Sequence, residues 1–95
     1  MAASGAIAIE ARITGRVQGV WFRGWVREEA RRLGLTGWVR NEPDGSVTTL
    51  LVGQGAAVTA MLTLCHRGPP SARVIGVETR PVQPTPDLIE FRVER

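Results

Sequence analysis

IAIEARITGRVQGVWFRGWVREEARRL, residues 7–33, changes its period halfway along, and that change sets the fold. Ile7, Ile9, Ala11 and Ile13 alternate with Ala8, Glu10, Arg12 and Thr14, the period-two pattern of a strand with one buried face. From Phe22 onward the apolar positions are Phe22, Val26, Ala30 and Leu33, the spacing of a helix, while Arg23, Arg27 and Arg31 line another face. Glu28 and Arg32 form a favourable i,i+4 pair, and Gly34 supplies a C-terminal stop. Between strand and helix lies the glycine-bracketed loop Gly15, Arg16, Val17, Gln18, Gly19, Val20.

Outward from this unit, Thr36 to Asn41 reads as a short strand and Glu42-Pro43-Asp44-Gly45 as a tight turn. Ser46 to Val52, rich in β-branched residues and leucine, is the return strand of a hairpin, broken by Gly53-Gln54-Gly55. A second helix is expected over Ala56–His66, with Val58, Met61, Leu62 and Cys65 on one face and Gly68-Pro69-Pro70 ending it. Ala72 to Arg80 reads as a strand, and Leu88 to Glu94 as a short last one after the prolines at 81, 84 and 86. The order predicts an α+β fold: a ferredoxin-like βαββαβ sandwich, an antiparallel sheet with two helices on one face. Residues 1–6 are expected to be a flexible N-terminus and 7–95 a single domain.

The composition is that of an ordinary water-soluble domain. The apolar run near Ala6–Ile9 is far too short for a membrane span, and no cleavable leader is visible, so a cytoplasmic protein with no membrane association is expected. Cys65 is the only cysteine and has no His or Cys at metal-ligand spacing, so no disulfide, metal or cofactor is implied. All twelve basic residues are Arg, but the net charge is only +3. That balance suits a small anion better than a nucleic acid.

The loop is where such an anion fits. Glycines at 15 and 19 let the backbone curl until successive N–H groups face one point, and the helix beyond adds unpaired N–H groups and the positive end of its dipole. Arg23 in the first helical turn offers a planar fork of donors matched to a tetrahedral oxyanion. Arg27 and Arg31 read as a solvated stripe. His66 is expected to cap carbonyls of the second helix, Cys65 to be a small core residue, and Glu42 and Asp44 to serve the turn. Trp21, Trp25 and Trp38 are assigned to core or loop packing, with Trp21 partly roofing the loop.

Gly15-Arg16-Val17-Gln18-Gly19-Val20 followed by Phe22-Arg23 resembles the first signature of the acylphosphatase family. Gly37-Trp38-Val39-Arg40-Asn41 with Gly45, Val47 and Gly53 resembles its second, and Gly68-Pro69-Pro70-Ser71-Ala72-Arg73-Val74 is similar to its entry into the fourth strand. The resemblance implies hydrolysis of acyl phosphates to a carboxylate and inorganic phosphate, without metal or covalent intermediate. It also implies that Arg23 grips the phosphoryl group, Asn41 orients the attacking water, and the loop from Gly15 to Val20 cradles the phosphate. Inorganic phosphate is then expected to be product and competitive inhibitor, and the enzyme a monomer. Phosphoryl transfer through a loose transition state needs mainly positioning and electrostatics, which an Arg, an amide and a nest of N–H groups supply.

Two other readings compete. One is a non-catalytic anion- or RNA-binding module of the same fold; RNA binding would need aromatics on the two central strands, and Ile9–Ile13 and Val47–Leu51 carry none. An accessory subunit handling carbamoyl phosphate would need partners that no zinc-ligand or nucleotide motif here announces.

Overall fold

The strand–loop–helix switch lies where the sequence puts it. In a computed structural model, which describes residues 6–84 and 88–94, β1 is Ala6–Arg16 and α1 is Phe22–Arg32. They are followed by β2 (Thr36–Asn41), β3 (Val47–Gln54), α2 (Gly55–Arg67), β4 (Arg73–Val82) and β5 (Phe91–Val93). Residues 1–5 of the expected flexible N-terminus lie outside the described residues, and Ala6 already opens β1.

The strands form one sheet in the order β4-β1-β3-β2-β5. The first four pair antiparallel, as expected for a ferredoxin-like sandwich, with β1 and β3 central. β5 departs from a wholly antiparallel sheet: it lies parallel to β2, with Gly37 opposite Phe91 and Val39 opposite Val93. Strands β4 and β5 occupy opposite edges, so the chain between them crosses the sheet. Leu88, on that crossing, packs with Ala8, Leu50, Val52, Trp38 and Val82 on the face away from the helices.

The main core lies between the sheet and both helices. Phe22, Val26 and Ala30 of α1 and Val58, Met61 and Cys65 of α2 meet Ile13, Val39, Val47, Leu51 and Phe91. Each large apolar side chain buried here contributes about 1.5–3 kcal/mol, against about 0–1 kcal/mol for an exposed ion pair such as Arg80–Glu10. Packing therefore dictates the fold, and the arginine-rich surface decorates it.

Several boundaries move, each for a physical reason. β3 continues through Gly53 and Gln54, because Ala6 and Ile7 pair with them, and α2 begins directly at Gly55. β4 extends to Val82 across Pro81, on an edge strand where a missing N–H is tolerated. The last strand shrinks to three residues, and Ile89, expected on its buried face, is exposed. Arg32 pairs with Glu29 rather than Glu28.

Gly15, like Gly37, is a position where the chain cannot accept a side chain without moving backbone. Its φ is 122°, it sits at the register shift between β1 and β4, and a Cβ would collide with the Arg73 carbonyl oxygen and lie 2.8 Å from the Ile75 nitrogen. Both obstacles are backbone, so neither can swing away. Gly15→Ala is expected to lower stability by at least about 2 kcal/mol, read as a reduced urea midpoint at unchanged m-value.

Candidate active site

The loop between β1 and α1 is pinned from three sides. Val17 is buried in the main core and Val20 packs against it, so two side chains three residues apart point inward. Gln18 points the other way. Its Nε2 donates to the carbonyl oxygens of Glu42 and Ser46, each at 2.9 Å, which fastens the loop to the β2–β3 turn. Gly19 turns the chain with φ 74°, and Trp21 enters α1 in the left-handed region at φ 62° and ψ 27°.

Among the described residues, none of the N–H groups from Val17 to Trp21 donates to a protein acceptor. Trp21 makes no side-chain cap, and the first turn of α1 holds no acidic residue. A run of open donors therefore adjoins an uncapped helix N-terminus, the arrangement that binds anions.

Arg23 and Asn41 reach the same cleft from different elements. Its lining is Val17, Gly19, Trp21, Arg23, Gly24 and Arg27, together with Phe22, Asn41 and Val93. Arg23 is half-buried, and its Nη1 makes a long hydrogen bond of 3.4 Å to the Glu94 carbonyl oxygen. Asn41 closes β2 opposite Val47, and its Oδ1 is buried with no hydrogen-bond partner among the described residues. A buried amide oxygen left unpaired is costly, and an incoming donor such as water removes that cost. The cleft measures about 400 Å³, more than ten times the ~30 Å³ that a water occupies in the liquid. Among the described residues its lining contains two guanidinium groups and no carboxylate, imidazole or thiol.

Not every expected loop residue faces the cleft. Val17 and Gly19 line it, whereas Gly15 forms the bulge, Arg16 ends β1 with an exposed side chain, Gln18 is the clamp and Val20 is an anchor. A cradle made by this loop is thus one of backbone N–H groups.

A sequence model of the acylphosphatase family matches residues 9–93. The chain belongs to the acylphosphatase family. An acylphosphatase of Rhizobium etli is 54% identical over 86 residues, spanning 90% of this chain and 92% of its own length. The solved acylphosphatase of Coxiella burnetii superposes with a TM-score of 0.91 at 34% identity, covering 95% of this chain and 94% of that one. That of Bacillus subtilis gives 0.90 at 29% identity, covering 94% and 99%.

Within this acylphosphatase fold, two features of the cleft escape a reading of the sequence. Arg27 belongs to it and not to the solvated stripe: one helical turn beyond Arg23, it lines the cleft with its Nε buried and unpaired among the described residues. Arg31, next in the stripe, is exposed and donates to the Phe91 carbonyl oxygen at 3.1 Å. The second feature is the end of β5, which supplies Val93 to the lining and the carbonyl that holds Arg23. The other titratable candidates sit where expected. His66 bonds the Leu62 carbonyl oxygen through Nδ1 at 2.9 Å, and burial pushes the Cys65 thiol up to about 12.

The β2–β3 turn is fixed by Asp44. Its Oδ1 accepts from the Ser46 N–H at 2.9 Å and the Ser46 hydroxyl at 2.6 Å, while Oδ2 pairs with Arg12 at 2.7 Å. The bonds from Ser46, followed by that from Arg12, hold the Asp44 carboxyl well below the usual carboxylate range. A lowered folded-state pKa means stability that is complete above the unfolded value of ~3.9 and disappears as pH falls through the folded value. Asp44→Asn is therefore expected to flatten the acid limb of the stability curve below about pH 4, measured by urea unfolding across pH 2–6. Gln18→Ala removes two part-buried hydrogen bonds, and should cost about 1–3 kcal/mol by the same assay.

Proposed function

We propose that this protein hydrolyses the carboxyl–phosphate bond of acyl phosphates, releasing a carboxylate and inorganic phosphate. The observation that carries the reading is the convergence, in one cleft that holds no carboxylate among the described residues, of the Arg23 guanidinium, an open run of loop N–H groups and the unpaired amide oxygen of Asn41. The family to which the chain belongs supports the same substrate class.

In this reading the phosphoryl group sits on the loop N–H groups with Arg23 across its oxygens. Charge-assisted hydrogen bonds of this kind are worth roughly 1.5–3 kcal/mol each. Arg27 extends the positive field along the same helix face. The Asn41 Oδ1 accepts a hydrogen bond from water and directs its oxygen at phosphorus. A new P–O bond forms to that water as the bond from phosphorus to the acyl oxygen breaks, and the electron pair leaves with the carboxylate. The leaving group is stable as an anion, so no general acid is needed. The water's proton passes to a phosphoryl oxygen of the substrate, in keeping with a lining that offers no protein base among the described residues.

The chemistry explains why the site is rigid. Catalysis by positioning fails when geometry drifts, and here Val17 and Val20 anchor the loop to the core while Gln18 ties it to the β2–β3 turn. An RNA-binding module remains unsupported, since Trp25 packs against Phe22 and Trp38 lies under Arg40 on β2, leaving the central strands without aromatics. No helix among the described residues is long and apolar enough to cross a membrane.

Benzoyl phosphate hydrolysis, followed by loss of its ultraviolet absorbance, tests the reading. The protein should turn it over, inorganic phosphate should compete, and reaction in ¹⁸O-water should label the phosphate and not the benzoate. Arg23→Gln and Asn41→Ala should stay folded and lose about 10²–10³-fold in kcat. Full activity in either variant, or label in the benzoate, would overturn it.

A further inference from the structure

The Trp21 side chain is the part of the cleft that phosphate recognition does not use. Trp21 is a bulky residue in the left-handed region, which such side chains rarely adopt, and it is 60% exposed, so burial offers little in return. Its indole is nevertheless placed. It lies against the first turn of α1, where a Cβ on Gly24 would collide with Nε1 and come within 2.5 Å of Cε2. Gly24 is a poor helix former at that position, and the space it leaves is the space the indole fills. Trp21 and Gly24 line the same cleft as Arg23 and Asn41.

The remaining apolar lining is of a different kind. Val17 and Phe22 are buried in the core, and Val93 is half-buried on β5. Trp21 thus provides an exposed aromatic plane at the mouth, beside a cleft too large for phosphate alone. A backbone cradle reads only the phosphoryl end of a substrate. Discrimination between acyl groups needs a surface beyond it.

We infer that Trp21 is the specificity-determining residue for the acyl half of the substrate, its indole stacking on a planar aromatic acyl group. The inference rests on the acyl phosphate reading above. An aryl ring conjugated with its carbonyl presents a flat face, and offset stacking on indole matches it. An acetyl group has no such face and gains little.

The test compares kcat and KM for benzoyl phosphate and acetyl phosphate in the wild type, Trp21→Gly, Trp21→Phe and Gly24→Ala. Glycine accepts a positive φ at position 21, so Trp21→Gly removes the plane while relieving the backbone. It should raise KM for benzoyl phosphate about tenfold and lower the benzoyl-to-acetyl ratio of kcat/KM to match, with kcat affected far less than KM. Trp21→Phe should keep most of the preference. Gly24→Ala, which displaces the indole without removing it, should shift the ratio in the same direction by a smaller factor. The inhibition constant of inorganic phosphate reads the phosphate end separately and should follow neither change. An unaltered ratio in Trp21→Gly, or equal losses on both substrates, overturns the inference while leaving acyl phosphate hydrolysis standing. A wild type that hydrolyses neither substrate overturns that underlying reading, and this one with it.

Discussion

One side-chain amide joins the two halves of the site. Gln18 Nε2 donates to the carbonyls of Glu42 and Ser46, at the two ends of the β2–β3 turn, and these are the only polar side-chain contacts from the loop to that turn among the described residues. Asn41 immediately precedes Glu42, so the same two bonds that hold the loop also fix the strand end that presents Asn41. The open loop donors and the unpaired Asn41 acceptor are 20 or so residues apart in the chain, yet they share a single mechanical reference. The core enforces the rest: Val17 and Phe22 bracket the loop and are both buried against it. An anion site built on backbone N–H groups is only as good as its backbone, and that is where the sequence invests.

Much of this is legible in the residues because it is local. The period switch at Phe22 locates α1, the Glu42–Gly45 turn locates the hairpin, and Gly15 and Gly19 mark the places where the chain must turn. Apolar periodicity picked out Phe22, Val26 and Ala30 as the face that meets the sheet. What periodicity cannot do is separate residues on one stripe by what lies opposite them. Arg23, Arg27 and Arg31 recur every four residues, and only the position of β5 decides that two line the cleft while the third bonds the Phe91 carbonyl.

β5 itself is the element least inferable from sequence. Three residues carry little pattern, and its parallel pairing to β2 is set by a crossing from the opposite sheet edge, a tertiary event. The exposure of Ile89 has the same origin: the alternation extends through residue 89, but the ladder begins only at Phe91. Gly53 shows the reverse case. Glycine lowers strand propensity, yet pairing with Ile7 on a central strand outweighs it.

The bond from Arg23 to the Glu94 carbonyl spans 71 residues. It gives the enzyme a timetable. Contacts of such sequence separation form late and slow folding, because the intervening chain must be closed before they yield anything. A ribosome releasing this chain from its N-terminus will have exposed the whole loop and α1 long before residue 94 emerges. The loop between β1 and α1 can thus exist on a nascent chain while the Arg23 guanidinium lacks that carbonyl. That carbonyl is in place only once β5 has paired with β2, so the setting of the Arg23 guanidinium waits on β5.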